Sequence, residues 1–183
     1  TFLSYLDAVV LPLCREKNIE LIMDKEADIQ TVIIADQIRL EQIFYNLLSN
    51  AVKFTPDGGR IELLTQTVSR ENGYVTNDCI VRDNGIGMSE EFQKQMFEPF
   101  TQETDTVSAE YQGSGLGLAI VKQLADLMGA VITVNSRLGQ GTEFIIRFRF
   151  PVAPEAVKTE KETVLVEMER LRGKRVLLAE DNP

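Results

Sequence analysis

The chain has 183 residues, of which 44% are apolar and 26% charged, and this composition is typical of a folded globular protein, not of a disordered or fibrous one. Its formal charge of −9 argues against a nucleic-acid-binding surface, because phosphate backbones require clustered lysine and arginine. The absence of histidine excludes Ser-His-Asp and Cys-His nucleophile systems and every histidine-ligated metal site.

Nothing in the sequence indicates membrane insertion or export. No apolar run is long enough to span a bilayer, and the first residues lack the basic and apolar regions of a signal peptide. We therefore expect this segment to make no membrane contact and to lie in the cytoplasm, whether or not a longer parent protein is membrane-anchored. Cys14 and Cys79 are far apart, so we expect two reduced, partly buried thiols and no metal site.

The N-terminal part of the chain predicts one helix and two short strands. Apolar residues at helical spacing indicate an amphipathic helix from about residue 2 to 17, interrupted by Pro12. Apolar, β-branched runs then predict strands over 19–23 and 31–35.

A long helix and a hairpin follow. Asp36 is a good N-cap for a helical pattern that continues to about Phe54 and stops in the turn-rich segment 55–59. Two strands, 60–69 and 74–82, are then joined across an Asn-Gly pair, which is a hairpin signal.

The next segment completes one folded unit. A short helix is expected near Ser89, a polar stretch without periodicity over 101–112, and a helix over 117–128. Strands over 130–136 and 142–150 close the unit. Because antiparallel hairpins are interspersed with helices, the predicted fold class is α+β, with one mixed sheet covered by helices on one face.

The composition changes after residue 150. Residues 151–172 are rich in Pro, Ala, Glu, Lys and Thr and are predicted to form a linker. Residues 173–183 have the pattern of a buried strand that ends in the acidic pair Glu180 and Asp181.

One face of the long helix carries amides and a cation. At about 100° per residue, four polar residues share a stripe opposite the apolar face: Gln42, Asn46, Asn50 and Lys53. Asparagine oxygens are neutral ligands suited to a Mg²⁺ ion that also touches phosphates, and a lysine adds a point charge. Taken alone, the pattern favours an ordinary amphipathic helix with a solvated polar face.

Residues 83–87 have the pattern Asp-x-Gly-x-Gly directly after a predicted strand. The glycines let a ligand approach the backbone closely, and the Asp83 carboxylate can accept the exocyclic amino N–H of adenine. Guanine presents a carbonyl oxygen there and would be repelled. In isolation, a tight turn in which glycine permits positive φ explains the segment equally well.

Two further glycine motifs follow. Residues 113–117, Gly-Ser-Gly-Leu-Gly, open an apolar helix, where exposed N–H groups and the helix dipole can bind an anion. Their spacing differs from that of a dinucleotide-binding fingerprint. Residues 139–142, Gly-Gln-Gly-Thr, would by themselves usually be a hairpin turn.

Together, the motifs Asn-x-x-x-Asn-x-x-Lys, Asp-x-Gly-x-Gly, Gly-x-Gly-x-Gly and Gly-x-Gly-Thr resemble the N, G1, G2 and G3 boxes of the histidine-kinase catalytic domain, and residues 97–100, Phe-Glu-Pro-Phe, resemble its F box. The resemblance covers about residues 2–150. It implies the Bergerat ATP-binding fold, a two-layer α/β sandwich shared with type II topoisomerases, mismatch-repair ATPases and ninety-kilodalton heat-shock chaperones. It also implies ATP and Mg²⁺ as ligands.

The resemblance implies a role for each matching position. Asp83 would anchor adenine, Asn50 would be the principal Mg²⁺ ligand, and Asn46 would support the metal and the phosphates. Lys53 would contact a phosphate. The remaining implied contacts are Gly85 and Gly87 at the adenine pocket, Gly113, Gly115, Leu116 and Gly117 at the phosphates, Thr142 beside Asp83, and Gln102 near the phosphates or the metal.

The same resemblance separates a kinase from an ATPase. In the hydrolysing relatives a glutamate that activates water stands at the position of Asn46, and an amide cannot take up a proton. Asn46 therefore favours transfer of the γ-phosphoryl group to another nucleophile, and Glu41 lies about 100° away from the stripe. In this family the acceptor is a histidine on a separate dimerisation domain, which a chain without histidine lacks.

The polar stretch 101–112 corresponds to the mobile ATP lid of the family. Such lids often carry an arginine that reaches the phosphates, whereas this stretch has none and includes Glu110. Losing a cation of this kind can cost orders of magnitude in rate. Two alternatives to a competent kinase therefore stay open: a nucleotide-binding regulatory module without competent transfer, and a self-sufficient ATPase, which Asn46 disfavours.

Residues 173–183 resemble the first strand of a receiver domain, whose acidic pair binds Mg²⁺. Combined with the catalytic motifs, this resemblance predicts a hybrid sensor kinase that works in a phosphorelay. The implied partners are a dimerisation and histidine phosphotransfer domain and a receiver domain or response regulator. The phosphate-accepting aspartate of the receiver would lie beyond Pro183.

Overall fold

The structure is a computed structural model that describes residues 2–23, 32–103 and 114–154. The predicted linker beyond Pro154, the receiver-like strand and residues 104–112 of the predicted lid lie outside these ranges. The described helices are α1 (Phe2–Glu16), α2 (Gln37–Phe54), α3 (Glu90–Gln95) and α4 (Gly117–Leu127). The described strands are β1 (Glu20–Met23), β2 (Arg60–Glu71), β3 (Tyr74–Asp83), β4 (Val131–Arg137) and β5 (Gly141–Pro151).

The five strands form one mixed sheet in the order β1-β2-β3-β5-β4. Only β1 and β2 run parallel, and the other three pairs are antiparallel. The register places Asp83, the last residue of the central strand, between Ile61 on β2 and Thr142 on β5. The predicted α+β class with a mixed, mostly antiparallel sheet is therefore confirmed, and the end of its central strand carries the acid of the second motif.

The core lies between the sheet and helices α1, α2 and α4. Successive side chains of β2, β3 and β5 point to opposite faces of the sheet. One face is buried under the helices, and charged residues lie on the other. The Phe44 ring of α2 lies 6.2 Å from the Phe148 ring of β5, centroid to centroid. The fully buried side chains include Leu6, Val10, Ile43, Leu47, Leu48, Ile61, Val75, Val81, Val121 and Ile146.

Helix α2 begins and ends where the sequence predicts. The Asp36 carboxylate accepts the Arg39 backbone N–H at 3.1 Å, which confirms Asp36 as the N-cap. At the other end, the Thr55 N–H donates to the Ala51 carbonyl at 2.9 Å before the chain turns away. Because both ends of this helix are fixed by hydrogen bonds, the face that carries the amides has a fixed orientation in the fold.

Two details of the predicted secondary structure are wrong. Residues 32–35 do not form a strand, because Ile33 makes only an isolated antiparallel bridge with Val152. Helix α1 is not interrupted by Pro12 but runs through it. Pro12 is exposed, as is Ala8 one turn earlier, so water can satisfy the carbonyl that proline leaves without a donor.

Lys17 caps the C-terminal end of α2. Its ammonium group donates to the carbonyl oxygens of Val52 at 2.9 Å and Lys53 at 3.3 Å, and also to that of Thr55. These are last-turn carbonyls that an α-helix cannot satisfy by itself. We expect Lys17→Met to lower the free energy of unfolding by about 2 kcal/mol, the range for hydrogen bonds to a charged group.

Urea unfolding of this variant beside Lys122→Met checks the expectation. Lys122 is 44% exposed and pairs with Asp126 within α4, so its loss is expected to cost only about 0.5 kcal/mol. Equal losses for the two variants would show that the Lys17 contacts do not stabilise the end of α2.

Candidate nucleotide-binding site

A cavity of about 450 Å³ opens between α2, α4 and the end of the sheet where β3 finishes and β5 begins. It has a size suited to a nucleotide-sized ligand. Ten of the residues proposed from the motifs line it: Asn46, Asn50, Lys53, Asp83, Gly87, Gln102, Gly115, Leu116, Gly117 and Thr142. Gly85 lies directly behind this wall, and Gly113 lies outside the described residues.

The amides of α2 face the start of α4. The Asn46 side-chain N–H donates to the Gln42 carbonyl at 2.7 Å, so this bond orients the amide along its own helix. A Cβ placed on Gly117 would lie 3.3 Å from Asn46 Oδ1 and 3.7 Å from Asn50 Nδ2. The two amides and the first residue of α4 therefore surround one narrow space, which a glycine keeps open.

Lys53 supplies positive charge to the cavity. Its ammonium group lies 4.7 Å from the centroid of the Phe54 ring, and partial burial lowers its pKa. Among the described residues that line the cavity, it is the only lysine or arginine. An anionic ligand in this cavity would thus meet one side-chain cation, on α2.

The N-terminal end of α4 also faces the cavity. Leu116 occupies the N-cap position but makes no side-chain cap hydrogen bond, so its side chain does not satisfy the first N–H groups of the helix. Ser114, Gly115, Leu116 and Gly117 line the cavity at this point. Exposed N–H groups and the positive end of the helix dipole suit an anionic group such as a phosphate.

Asp83 ends β3 with its carboxylate directed into the cavity. Its Oδ1 accepts the Gly85 backbone N–H at 2.8 Å, and the backbone N–H of Thr142 contributes a second hydrogen bond. Burial outweighs these bonds and raises the pKa of the carboxyl group. Because a carboxylate offers about four acceptor positions, Asp83 retains capacity for N–H donors of a ligand.

The raised pKa of Asp83 predicts how its charge affects stability. The folded state binds a proton on the Asp83 carboxyl group more tightly than the unfolded chain does, where this group has its ordinary pKa of 3.8. The free energy of unfolding therefore decreases as pH rises from about 3.8 through the folded-state pKa, and this loss stays constant above it. At neutral pH the ionised Asp83 is a cost to folding.

Comparing Asp83→Asn with the wild type isolates this effect, because the opposite contributions of Asp78 and Glu143, whose pKa values are lowered, cancel in the difference. We expect the advantage of the Asn variant in urea unfolding to be full near neutral pH and to shrink on acidification. An advantage that does not change with pH would contradict the burial of this charge.

Glycines bring the backbone close together around Asp83. A Cβ on Gly85 would overlap the Phe54 carbonyl oxygen, which accepts the Ile86 N–H at 3.1 Å. Gly87 has φ +68°, and its Cβ would overlap the Arg137 carbonyl. Gly85 is thus required by the close contact with α2, and Gly87 by its positive φ and by the close contact with the β4–β5 hairpin.

One acid and an apolar wall of the cavity, together with one residue behind the cavity, were not predicted from the sequence. Ser136 lies behind Thr142, with the two hydroxyl oxygens 2.9 Å apart. Glu103 lines the cavity, and its carboxylate accepts the Ser89 backbone N–H at 2.9 Å. An apolar wall suited to a flat heterocycle consists of Ile86, Met88, Phe92, Met96, Leu118 and Phe144.

No helix within the described ranges is both long and apolar enough to cross a membrane.

Comparison with known proteins agrees with this geometry. A family described as histidine kinase-, DNA gyrase B- and HSP90-like ATPase matches residues 35–153. The chain is 40% identical over 181 residues to the autoinducer 2 sensor kinase/phosphatase LuxQ of Vibrio harveyi, covering 97% of the chain and 21% of that protein. It is 33% identical over 182 residues to the signal transduction histidine-protein kinase BarA of Escherichia coli K12, covering 98% and 19%. The chain therefore spans about a fifth of the length of these relatives.

Solved structures show the same fold. Full-length ShkA in complex with AMPPNP superposes with a TM-score of 0.67 and 34% sequence identity, covering 83% of this chain and 30% of that one. The catalytic domain of the histidine kinase ThkA superposes with a TM-score of 0.62 and 27% identity, covering 84% and 92%. The chain belongs to the histidine kinase-, DNA gyrase B- and HSP90-like ATPase family and is an ATP-binding catalytic domain homologous to those of sensor histidine kinases.

Proposed function

We propose that this domain binds ATP together with Mg²⁺ and transfers the γ-phosphoryl group to a histidine on a separate dimerisation domain. The observation that carries the proposal is the convergence, in one cavity, of a partly buried acid, two helix amides, a lysine and a helix start whose N-cap residue makes no side-chain hydrogen bond. Each group suits one part of the nucleotide: Asp83 the purine, Asn46 and Asn50 the metal, and Lys53 with the start of α4 the phosphates.

The amide pair on α2 fits a magnesium ion. Mg²⁺ prefers oxygen ligands and usually takes few from the protein, with phosphate and water oxygens completing its coordination. Asn50, with Asn46 beside it, would hold the ion next to Gly117, where the two amides and the start of α4 already meet. Bound there, the ion would neutralise phosphate charge.

The surroundings of Asn46 favour transfer over hydrolysis. Hydrolysis requires a base that takes a proton from water, whereas the Asn46 amide cannot act as a base and donates its own N–H to Gln42. The nearest acid on the helix, Glu41, accepts a hydrogen bond from Gln37 at 2.7 Å and does not line the cavity. Besides Asp83, Glu103 is the acid among the described residues that line the cavity, and its carboxylate accepts the Ser89 backbone N–H.

A regulatory module that binds nucleotide without competent transfer is a second candidate. It is favoured by the shortage of cations, because residues 101–112 contain no lysine or arginine and Lys53 is the only cation among the described lining residues. Since a missing transition-state cation slows phosphoryl transfer, the acceptor domain would have to supply one.

We further propose the arrangement of the chain: a catalytic domain over 1–150, a linker over 151–172, and the start of a receiver domain over 173–183. The proposed partners are the dimerisation and histidine phosphotransfer domain, and a receiver domain or response regulator downstream. The proposed location is the cytoplasm, where ATP is available, and a membrane anchor elsewhere in a parent protein is compatible with it.

Incubation with Mg²⁺ and γ-labelled ATP, with and without an added dimerisation domain, tests this function. We expect label to move to a histidine of that domain, with little phosphate released in its absence. Binding without transfer would support the regulatory module, and steady phosphate release by the chain alone would support an ATPase.

A further inference from the structure

The Ser136 hydroxyl joins three segments behind the cavity. It lies opposite Thr142 in the β4–β5 register, with the two hydroxyl oxygens 2.9 Å apart. It also accepts the Met88 backbone N–H at 2.9 Å and lies 3.0 Å from the Gly141 carbonyl oxygen, to which it can donate. One small side chain therefore connects the turn after β3 with the start of β5.

These three contacts determine which way each proton points. A hydroxyl has one proton and two lone pairs, and the Gly141 carbonyl can only accept. All three contacts are satisfied at once only if Ser136 donates to Gly141 and accepts from both Met88 and Thr142. The proton of the Thr142 hydroxyl is then used toward Ser136, and Thr142 presents lone pairs to the cavity.

The surrounding groups hold this arrangement in place. Thr142 is 8% exposed and Met88 is 9% exposed, so leaving their polar groups without a partner would be costly. The Gln93 side-chain amide donates to the carbonyl oxygens of Met88 at 3.0 Å and Ser136 at 3.1 Å. The cluster is therefore fixed from both sides, by Ser136 and by Gln93.

The consequence concerns the ligand atom that faces Asp83. Asp83 is an acceptor, and Thr142, which pairs with it in the sheet, becomes a second acceptor once its proton is directed to Ser136. Two adjacent acceptors suit an amino group, which carries two N–H donors, and oppose a carbonyl oxygen. The Ser136 hydroxyl would thus favour a 6-amino over a 6-oxo purine through Thr142, without contacting the purine itself.

We propose that Ser136 is a positioning residue for purine selectivity: it fixes the Thr142 hydroxyl as an acceptor beside Asp83 and thereby makes the site prefer ATP to inosine triphosphate. This inference rests on the proposed binding of ATP. Inosine triphosphate is the appropriate probe, because it differs from ATP in carrying a carbonyl in place of the amino group.

Calorimetric titration of the wild type and Ser136→Ala with both nucleotides and Mg²⁺ tests the inference. In the variant, the Thr142 proton is free to turn toward a carbonyl, so we expect the preference for ATP to fall about tenfold, the equivalent of one hydrogen bond. Asn135→Ala is the matched control, because this neighbour bonds Glu143 on the opposite face of the sheet, and it is expected to keep the wild-type preference.

A second variant keeps the test decisive if Ser136→Ala folds poorly. Thr142→Val removes the hydroxyl through which Ser136 acts, so it should lower the preference by itself, and the double variant should add nothing further. An unchanged preference in either folded single variant, or additive effects in the double variant, would overturn the role of Ser136. A wild type that binds neither nucleotide would instead overturn the proposed function.

Discussion

Replacing Asp83 with asparagine is expected to weaken ATP binding about a hundredfold, while the folded protein becomes as stable as the wild type or more stable. A carboxylate can accept N–H groups with both oxygens, whereas an asparagine that keeps the Gly85 bond through its oxygen turns an N–H₂ group toward the ligand. The amino group of adenine would then face another donor. Stability does not suffer, because the variant removes a partly buried charge, and burial has raised the pKa of this carboxyl group.

Asp78→Asn provides a matched control on the same strand. Asp78 lies on the open face of the sheet and accepts two hydrogen bonds from Arg147, both at 2.7 Å, which lower the pKa of its carboxyl group. This variant should lose some stability and keep its affinity for ATP, the reverse of the result at Asp83. Calorimetry and urea unfolding on both variants measure the contrast. Normal ATP affinity in Asp83→Asn would show that the carboxylate does not recognise the purine.

The second large effect is expected at Asn50. Asn50→Ala should reduce phosphoryl transfer to an added dimerisation domain by about a hundred- to a thousandfold, the scale seen when one polar group that stabilises a transition state is removed. Affinity for ATP in the presence of a chelator should change less than about twofold, because neutral amide contacts to phosphates contribute little by themselves. A large loss of transfer with little change in metal-free affinity would indicate that the Asn50 amide acts by holding Mg²⁺.

Gln42→Ala is the control for this experiment. Gln42 lies two turns before Asn50 on the same stripe, it is exposed, and the side-chain contact it makes with Asn46 uses its backbone carbonyl, which alanine keeps. Transfer measured with γ-labelled ATP across a Mg²⁺ titration should be normal for this variant. If Asn50→Ala showed the same Mg²⁺ dependence and the same rate as Gln42→Ala, the metal would have to be held elsewhere.

Much of the fold follows from local signals that agree with one another. Asp36 caps α2 and the 55–59 turn ends it, so both ends of this helix were predictable. The failure at 32–35 has a physical cause: its β-branched residues suit a strand, but the segment forms a single bridge, Ile33 with Val152, and the two backbone hydrogen bonds beside it are not continued into a ladder. A strand requires a neighbouring strand, and that depends on the tertiary arrangement.

The candidate site divides in the same way. Residues within motifs, such as Asn50 and Asp83, could be proposed from the sequence, because glycines and amides at this spacing and in this order have few other uses together. Ser136 was not, because one serine on an alternating strand is ordinary, and its importance depends on three backbone segments that meet only in the folded chain. The apolar wall was missed because its residues follow the same pattern as the core.

Titration calorimetry of the wild-type chain with ATP and Mg²⁺ is the most direct test of the account. We expect one ATP molecule to bind per chain. GTP should bind much more weakly, because its 6-oxo group would face the acceptors at Asp83. A well-folded chain that gave no heat with ATP, or bound GTP equally well, would contradict the claim that this cavity recognises the adenine nucleotide.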